Sequence, residues 1–391
     1  MRLFVAIVCS ALLASCARGA NSSLLPPSAL PNAGPDAGGY ALLYSFKSGE
    51  DAGFPYDSLT PLNGTLYGTT YGGGGGYQWG TVFKVSTTGD EHVLYRFKAG
   101  DDGAHPYAGL TAINGTFYGT TYQGGKPGYG TVFSVSPTGT EHVLYSFKGG
   151  SDGAYPYGRL LAMNGTLYGT TSAGGVSSGW GVVFKVSTAG EEHVLYRFKA
   201  NKDGALPYAG LIAANGMLYG TTSEGGAKGF GTVFSVSPAG DEKIIYSFKG
   251  GTDGQYPYAP LLENKAAFYG TTYSGGVSSG WGVVFKVGTS GKEEVLYRFK
   301  ANADGAHPYY SGLIAQNGSL YGTTSQGGAK GCGTVFEESP GGGVDRVIYS
   351  FKGGTDGEYP YAGLIALDDT MYGTTEVGGA SSAGTVFKFS L

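Results

Sequence analysis

Residues 208–248 read YAGLIAANGMLYGTTSEGGAKGFGTVFSVSPAGDEKIIYSF. Short apolar and β-branched runs alternate here with turn residues, a pattern of half-buried strands rather than of a helix. Four strands are predicted: Ala209 to Ala213, Met217 to Thr222, Gly231 to Ser237 and Glu242 to Phe248. Asn215-Gly216 joins the first two, a pair in which both residues accept the positive φ of a tight hairpin. Pro238-Ala239-Gly240-Asp241 joins the last two. Two hairpins side by side make one four-stranded antiparallel sheet.

The same stretch recurs along the chain. Tyr-Gly-Thr-Thr begins at Tyr67, Tyr118, Tyr168, Tyr219, Tyr269, Tyr321 and Tyr372, and Gly-(Thr/Val)-Val-Phe begins at Gly80, Gly130, Gly181, Gly231, Gly282, Gly333 and Gly384. The period is 50 to 52 residues, seven times over. A four-stranded unit of that length predicts an all-β, seven-bladed β-propeller, since β-helix coils are much shorter. Composition agrees: 74 glycines in 391 residues exclude a helical bundle, each costing about 0.5–1 kcal/mol inside a helix. A chain that is 41% hydrophobic and 14% charged is not disordered. The last repeat stops at its third strand, Gly384 to Leu391, while Tyr40 to Phe46 is an orphan fourth strand. Pairing the two closes the seventh blade from both ends and removes the open edges of the ring, giving one propeller domain over 40–391.

A longer period of about 101 residues lies over the first, with Arg96, Arg197 and Arg298 alternating with Ser45, Ser146, Ser247 and Ser350. Two-blade units were copied.

Residues 1–15 read as an export signal, with Arg2 followed by the apolar run Leu3 to Leu13, too short for a permanent span. Leu13-Ala14-Ser15-Cys16 is similar to the lipobox of bacterial lipoproteins, which makes Cys16 the expected lipid attachment point; an ordinary signal cut after Ala17 is the alternative. Residues 16–39, rich in Ala, Asn, Ser, Pro and Gly, suit a flexible tether. By the same resemblance, Ala17 in place of Asp directs the protein to the outer membrane, facing the periplasm or the cell surface. A net charge of −4 without a basic run argues against nucleic acid as a partner.

Gly-Thr-Val-Phe, Leu-Tyr-Ser-Phe, Asp-Gly-x-x-Pro-Tyr and Leu-Tyr-Gly-Thr-Thr-x-x-Gly-Gly together resemble the GloVer tandem-repeat family of bacterial exported proteins. The resemblance covers residues 40 to 391. It implies repeats carried on varied surface anchors and names no catalytic residue.

With the first strand of each blade on the central channel, the tight turns fall on one face of the disc and two long loops on the other. Loops on a rigid scaffold are where binding resides. One long loop carries Tyr56, Tyr107, Tyr157, Tyr208, Tyr258, Tyr309 and Tyr361; the other carries Trp79, Tyr129, Trp180, Phe230 and Trp281, with Cys332 and Ala383 at the same position in the last two repeats. Such rings either wedge between blades or stack on the apolar faces of sugars, and they are the candidate ligand-binding residues. A sevenfold aspartate, from Asp51 to Asp356, folds back on its own loop, with local pairing to the lysine four residues earlier; one carboxylate per loop falls short of what calcium needs. The five histidines show no metal-ligand spacing. Neither cofactor nor metal is expected, and no hydrolase, P-loop or zinc-protease motif occurs. Catalysis needs groups with distinct roles, which near-identical repeats seldom offer. The expected function is noncatalytic binding of a glycan or another envelope ligand by a monomer. The alternatives are a scaffold for envelope proteins and, less favoured, a polysaccharide lyase or hydrolase.

Overall fold

The computed structural model describes residues 39–390 apart from 77, 177, 178, 201, 278, 279, 343 and 344. The signal segment, Cys16 and nearly all of the tether lie outside the described residues. Seven four-stranded antiparallel blades surround one axis. In the fourth blade the strands are Ile212–Ala214, Met217–Thr222, Thr232–Val236 and Glu242–Ser247, from axis to rim. The first is shorter than the sequence predicts and starts later. Ala209 turns its carbonyl sideways to accept from Thr170 Oγ1 of the preceding blade at 2.9 Å, so the chain enters the channel before it pairs. The Asn-Gly turns have the expected geometry, with φ of 50° at Asn215 and 75° at Gly216.

The repeated motifs are packing devices. In Tyr-Gly-Thr-Thr, a Cβ on Gly220 would stand 2.8 Å from Cζ of Phe234, so only glycine lets the ring of Gly-Thr-Val-Phe lie across the sheet. That ring meets Phe198 of the preceding blade edge-on at 5.1 Å. The same contact is made by Phe46–Phe83, Phe97–Phe133, Phe147–Phe184, Phe248–Phe285, Phe299–Phe336 and Phe351–Phe387. Each is worth about 0.5–1.5 kcal/mol beyond the area it buries. The core is therefore a set of clusters between neighbouring blades, and each blade depends on the next.

The ring is shut as the sequence predicts. Ala41–Ser45 pairs antiparallel with Thr385–Ser390, from Ala41 opposite Lys388 to Ser45 opposite Thr385. Tyr40, just before this strand, stacks on Tyr349 of the sixth blade at 4.0 Å and donates its hydroxyl to the Asp356 carbonyl at 2.7 Å.

Candidate functional site

The seven Pro-Tyr tyrosines do not wedge between blades. They form a closed ring about the axis on the long-loop face, each half-buried. Neighbouring ring centres are 4.2 to 5.7 Å apart, from Tyr56–Tyr107 round to Tyr361–Tyr56. The sixth repeat carries one more residue than the others between its Pro-Tyr tyrosine and the following leucine, reading Tyr309-Tyr310-Ser311-Gly312-Leu313. Tyr310 uses that length to reach the middle of the ring, stacked on Tyr157 at 4.8 Å and against Tyr309 at 4.2 Å. Burial holds the phenols of Tyr157 and Tyr310 well above the usual tyrosine range.

Beneath the ring lies a cavity of about 420 Å³. Its walls are tyrosine rings and inner-strand aliphatic residues such as Leu160, Leu211 and Ile212, and the charged residues among its lining are Asp57 and Arg159. Both break the repeat: where the second, fourth and seventh repeats read Pro-Tyr-Ala-Gly-Leu, the first has Asp57-Ser58 and the third Gly158-Arg159. Arg159 reaches past the second blade, its Nη2 donating to the Ser58 carbonyl and its Nε lying 3.5 Å from Asp57 Oδ2. Asp57 is held by backbone amides, accepting from Ser58 on Oδ1 and from Gly109 on Oδ2, each at 2.6 Å. At the rim of the ring, Tyr56 donates its hydroxyl to Glu376 Oε1. Burial raises the Glu376 carboxyl, against the hydrogen bonds from Tyr56 and Tyr361.

The second aromatic set stands farther from the axis, over the seams between blades. Trp79, Tyr129, Trp180, Phe230 and Trp281 are half-buried and pack on the interblade clusters, while Cys332 and Ala383 are fully covered in the same place. Two of them hold histidines. His105 is stacked on Tyr71 at 4.3 Å and meets Trp79 edge-on at 5.1 Å; His307 repeats this with Tyr273 and Trp281 at 4.5 and 5.1 Å. Burial lowers both imidazoles below the usual histidine value, which keeps them neutral at pH 7.

The aspartates fold back on their loops, as expected, each accepting from the backbone amide of the lysine four residues earlier and from a tyrosine hydroxyl. Asp102 accepts from the Lys98 backbone amide and from the Tyr95 hydroxyl, both at 2.6 Å. The Lys98 ammonium stands over the Tyr95 ring at 5.6 Å. All seven repeats place the lysine in this way. No group of three or more His, Cys, Asp or Glu side chains is gathered as a metal site among the described residues.

The Gloeobacter/Verrucomicrobia repeat family matches residues 32–229 and 207–391. The chain belongs to this family. No curated protein matches it. Among solved structures, this Gloeobacter/Verrucomicrobia repeat protein is similar to the quinohemoprotein alcohol dehydrogenase of Comamonas testosteroni, at 9% identity and a TM-score of 0.54, over 90% of this chain and 76% of that one. It is also similar to a puromycin-hydrolyzing peptidase of Mycobacterium tuberculosis, at 12% identity and a TM-score of 0.51, over 84% of this chain and 52% of that one. The chain thus spans about half the length of the peptidase. At such identities the likeness is one of fold.

For a Gloeobacter/Verrucomicrobia repeat protein the informative residues are those that depart from the repeat. Asp57, Arg159, Tyr310 and Glu376 do so, and a position-by-position comparison of the seven Pro-Tyr segments would have singled out the first three. Attention to what recurs passes over them.

Proposed function

We propose that this protein is a noncatalytic repeat propeller, tethered to the bacterial outer membrane through a lipid on Cys16, that binds glycan with its long-loop face. The observation that carries the reading is the ring of seven half-exposed tyrosines around an axial cavity, flanked by the Tyr71–His105–Trp79 and Tyr273–His307–Trp281 clusters. Tyrosine and tryptophan offer a sugar an apolar face for its C–H groups and a polar edge for its hydroxyls. Repetition suits a repeating polymer, because several weak contacts on one rigid face raise avidity without any new contact.

A melting screen against polysaccharides tests this, since a ligand that prefers the native state raises its melting temperature. A polysaccharide-dependent rise that is lost in Trp180→Ala with Trp281→Ala supports the reading. The absence of a shift with every polysaccharide, together with a defined protein partner recovered by cross-linking in cells, replaces it with the scaffold.

A further inference from the structure

We propose that the axial cavity is a separate, single site for the end of a neutral, hydroxyl-rich sugar, bound end-on between Tyr310 and the Asp57–Arg159 pair. This inference rests on the glycan reading of the long-loop face and narrows it to one class of ligand and one occupant per chain.

Symmetry sets the axis apart. The structure repeats its aromatic loops around the disc, so a site built from them alone recurs. The axis is where departures from Pro-Tyr-Ala-Gly-Leu converge: Asp57 and Ser58 from the first repeat, Arg159 from the third, Pro260 from the fifth and Tyr310 from the sixth all line one cavity. A volume of about 420 Å³ lies in the lower part of the roughly 300–1,000 Å³ range of small-ligand sites. It suits a chain end of one or two sugar rings and not a threaded polymer.

Hydrogen bonding points the same way. A guanidinium carries five N–H donors and no acceptor. Arg159 uses Nη2 on the Ser58 carbonyl. Its Nε is buried without a hydrogen-bond partner, although Asp57 Oδ2 is 3.5 Å away. Its side chain is 29% exposed and faces the void whose wall it helps to form. Nε is thus turned to the Asp57 carboxylate, while the exposed part of the guanidinium can give its remaining donors to water or to an oxygen of a ligand in the cavity.

Charge selects the ligand class. Asp57 and Arg159 cancel, and they are the charged residues of the lining. A carboxylated or sulfated ligand would set a second anion against Asp57, which two backbone amides hold in place, and an amino sugar would set a cation against Arg159. A sugar hydroxyl does neither. It accepts from Arg159 and donates to Asp57 at the same time. Tyr157 is covered on both faces, by Tyr107 at 4.2 Å and by Tyr310 at 4.8 Å, so the ring left to meet the C–H groups of the sugar is that of Tyr310, which lines the cavity.

The test is titration calorimetry on the intact protein, with glucose, galactose, mannose and rhamnose, the disaccharides cellobiose and maltose, and glucuronate and glucosamine as charged counterparts. The result expected is one neutral sugar bound per chain, with the matching charged sugar at least tenfold weaker. Asp57→Ala with Arg159→Gly restores the residues that other repeats carry at these positions, so the fold should hold while neutral-sugar affinity falls more than tenfold. Arg159→Gln, which keeps most of the stem and loses the fork, should fall similarly, and Tyr310→Ala should weaken binding without abolishing the melting response to polysaccharide. Equal or tighter binding of glucuronate, more than one site per chain, or unchanged affinity in the two Arg159 variants overturns the proposal. Polysaccharide binding without any small-sugar binding overturns the axial site and leaves the aromatic-face reading standing; no binding of either kind removes both.

Discussion

Replacing Tyr40 with alanine removes the side chain that pins the closing strand to the sixth blade. The ring loses a parallel stack on Tyr349 at 4.0 Å and contacts with Phe351 and Phe387 at 6.2 and 6.0 Å, and the hydroxyl loses its 2.7 Å bond to the Asp356 carbonyl. The hydrogen bond contributes about 1 kcal/mol, the aromatic stack about 1 kcal/mol, and burial of a partly covered ring about 1–2 kcal/mol. Tyr40→Ala should therefore destabilise by about 3 kcal/mol. With an unfolding entropy of about 2.1 cal/mol/K per residue, a cooperative propeller over residues 40–391 loses roughly 4 °C in Tm. Tyr40→Phe, which keeps the stack and drops the hydroxyl, should lose only about 1 °C. Differential scanning calorimetry reads both. A Tyr40→Ala melt within 1 °C of the wild type, or a Tyr40→Phe loss as large as that of Tyr40→Ala, would refute closure by this contact.

Further outcomes follow from the same structure. Burial, and then the neighbouring aspartate, pushes the carboxyls of Glu91, Glu141, Glu192, Glu242 and Glu293 up to about 7. The native state thus keeps protons that the unfolded chain, with carboxyls near their ordinary value, has already released. Their contribution is fully present below the unfolded value and is lost as pH rises through 7. His105 and His307, lowered by burial, act in the opposite sense, but only below about 6.5. Between pH 6.5 and 8 the Tm should fall, and glutamine at all five glutamates should flatten that slope; a rising Tm across this window contradicts the assignment. Gly220→Ala drives a methyl to within 2.8 Å of Phe234 and 2.9 Å of Leu211 and should cost about 1–3 kcal/mol in a denaturant melt, against no loss if the ring has room to move. Cys16→Ala should abolish lipid labelling and release the protein from the membrane fraction, whereas retention of the label points to the ordinary signal cut.

Blade number, strand count and the closure by both termini were legible because each is written seven times, or once at each end, in residues that pack. Gly220 and Phe234 occur together because one lies under the other, and Asn215-Gly216 because both take positive φ. The start of the inner strand was not legible: Tyr208 to Leu211 has the pattern of a strand, but the Ala209 carbonyl is taken by Thr170 of the preceding blade, a contact invisible within one repeat. The tyrosine ring was half legible. Seven equivalent positions in a long loop were plain, whereas their convergence on the axis depends on how sharply the chain turns inward after proline. Asp57 and Arg159 lie 102 residues apart and come together only because the inner strands of three blades share the channel wall. An inserted Tyr310 looks like a harmless one-residue stretch of the repeat until the ring it fills is seen.

The most direct test of glycan binding at this face is a crystal structure of the protein soaked with oligosaccharides of whichever polysaccharide raises its Tm most. Sugar density is expected on the long-loop face, over the tyrosine ring and against Tyr310. Density confined to the tight-turn face or the outer rim, with the tyrosine ring bare, would contradict it.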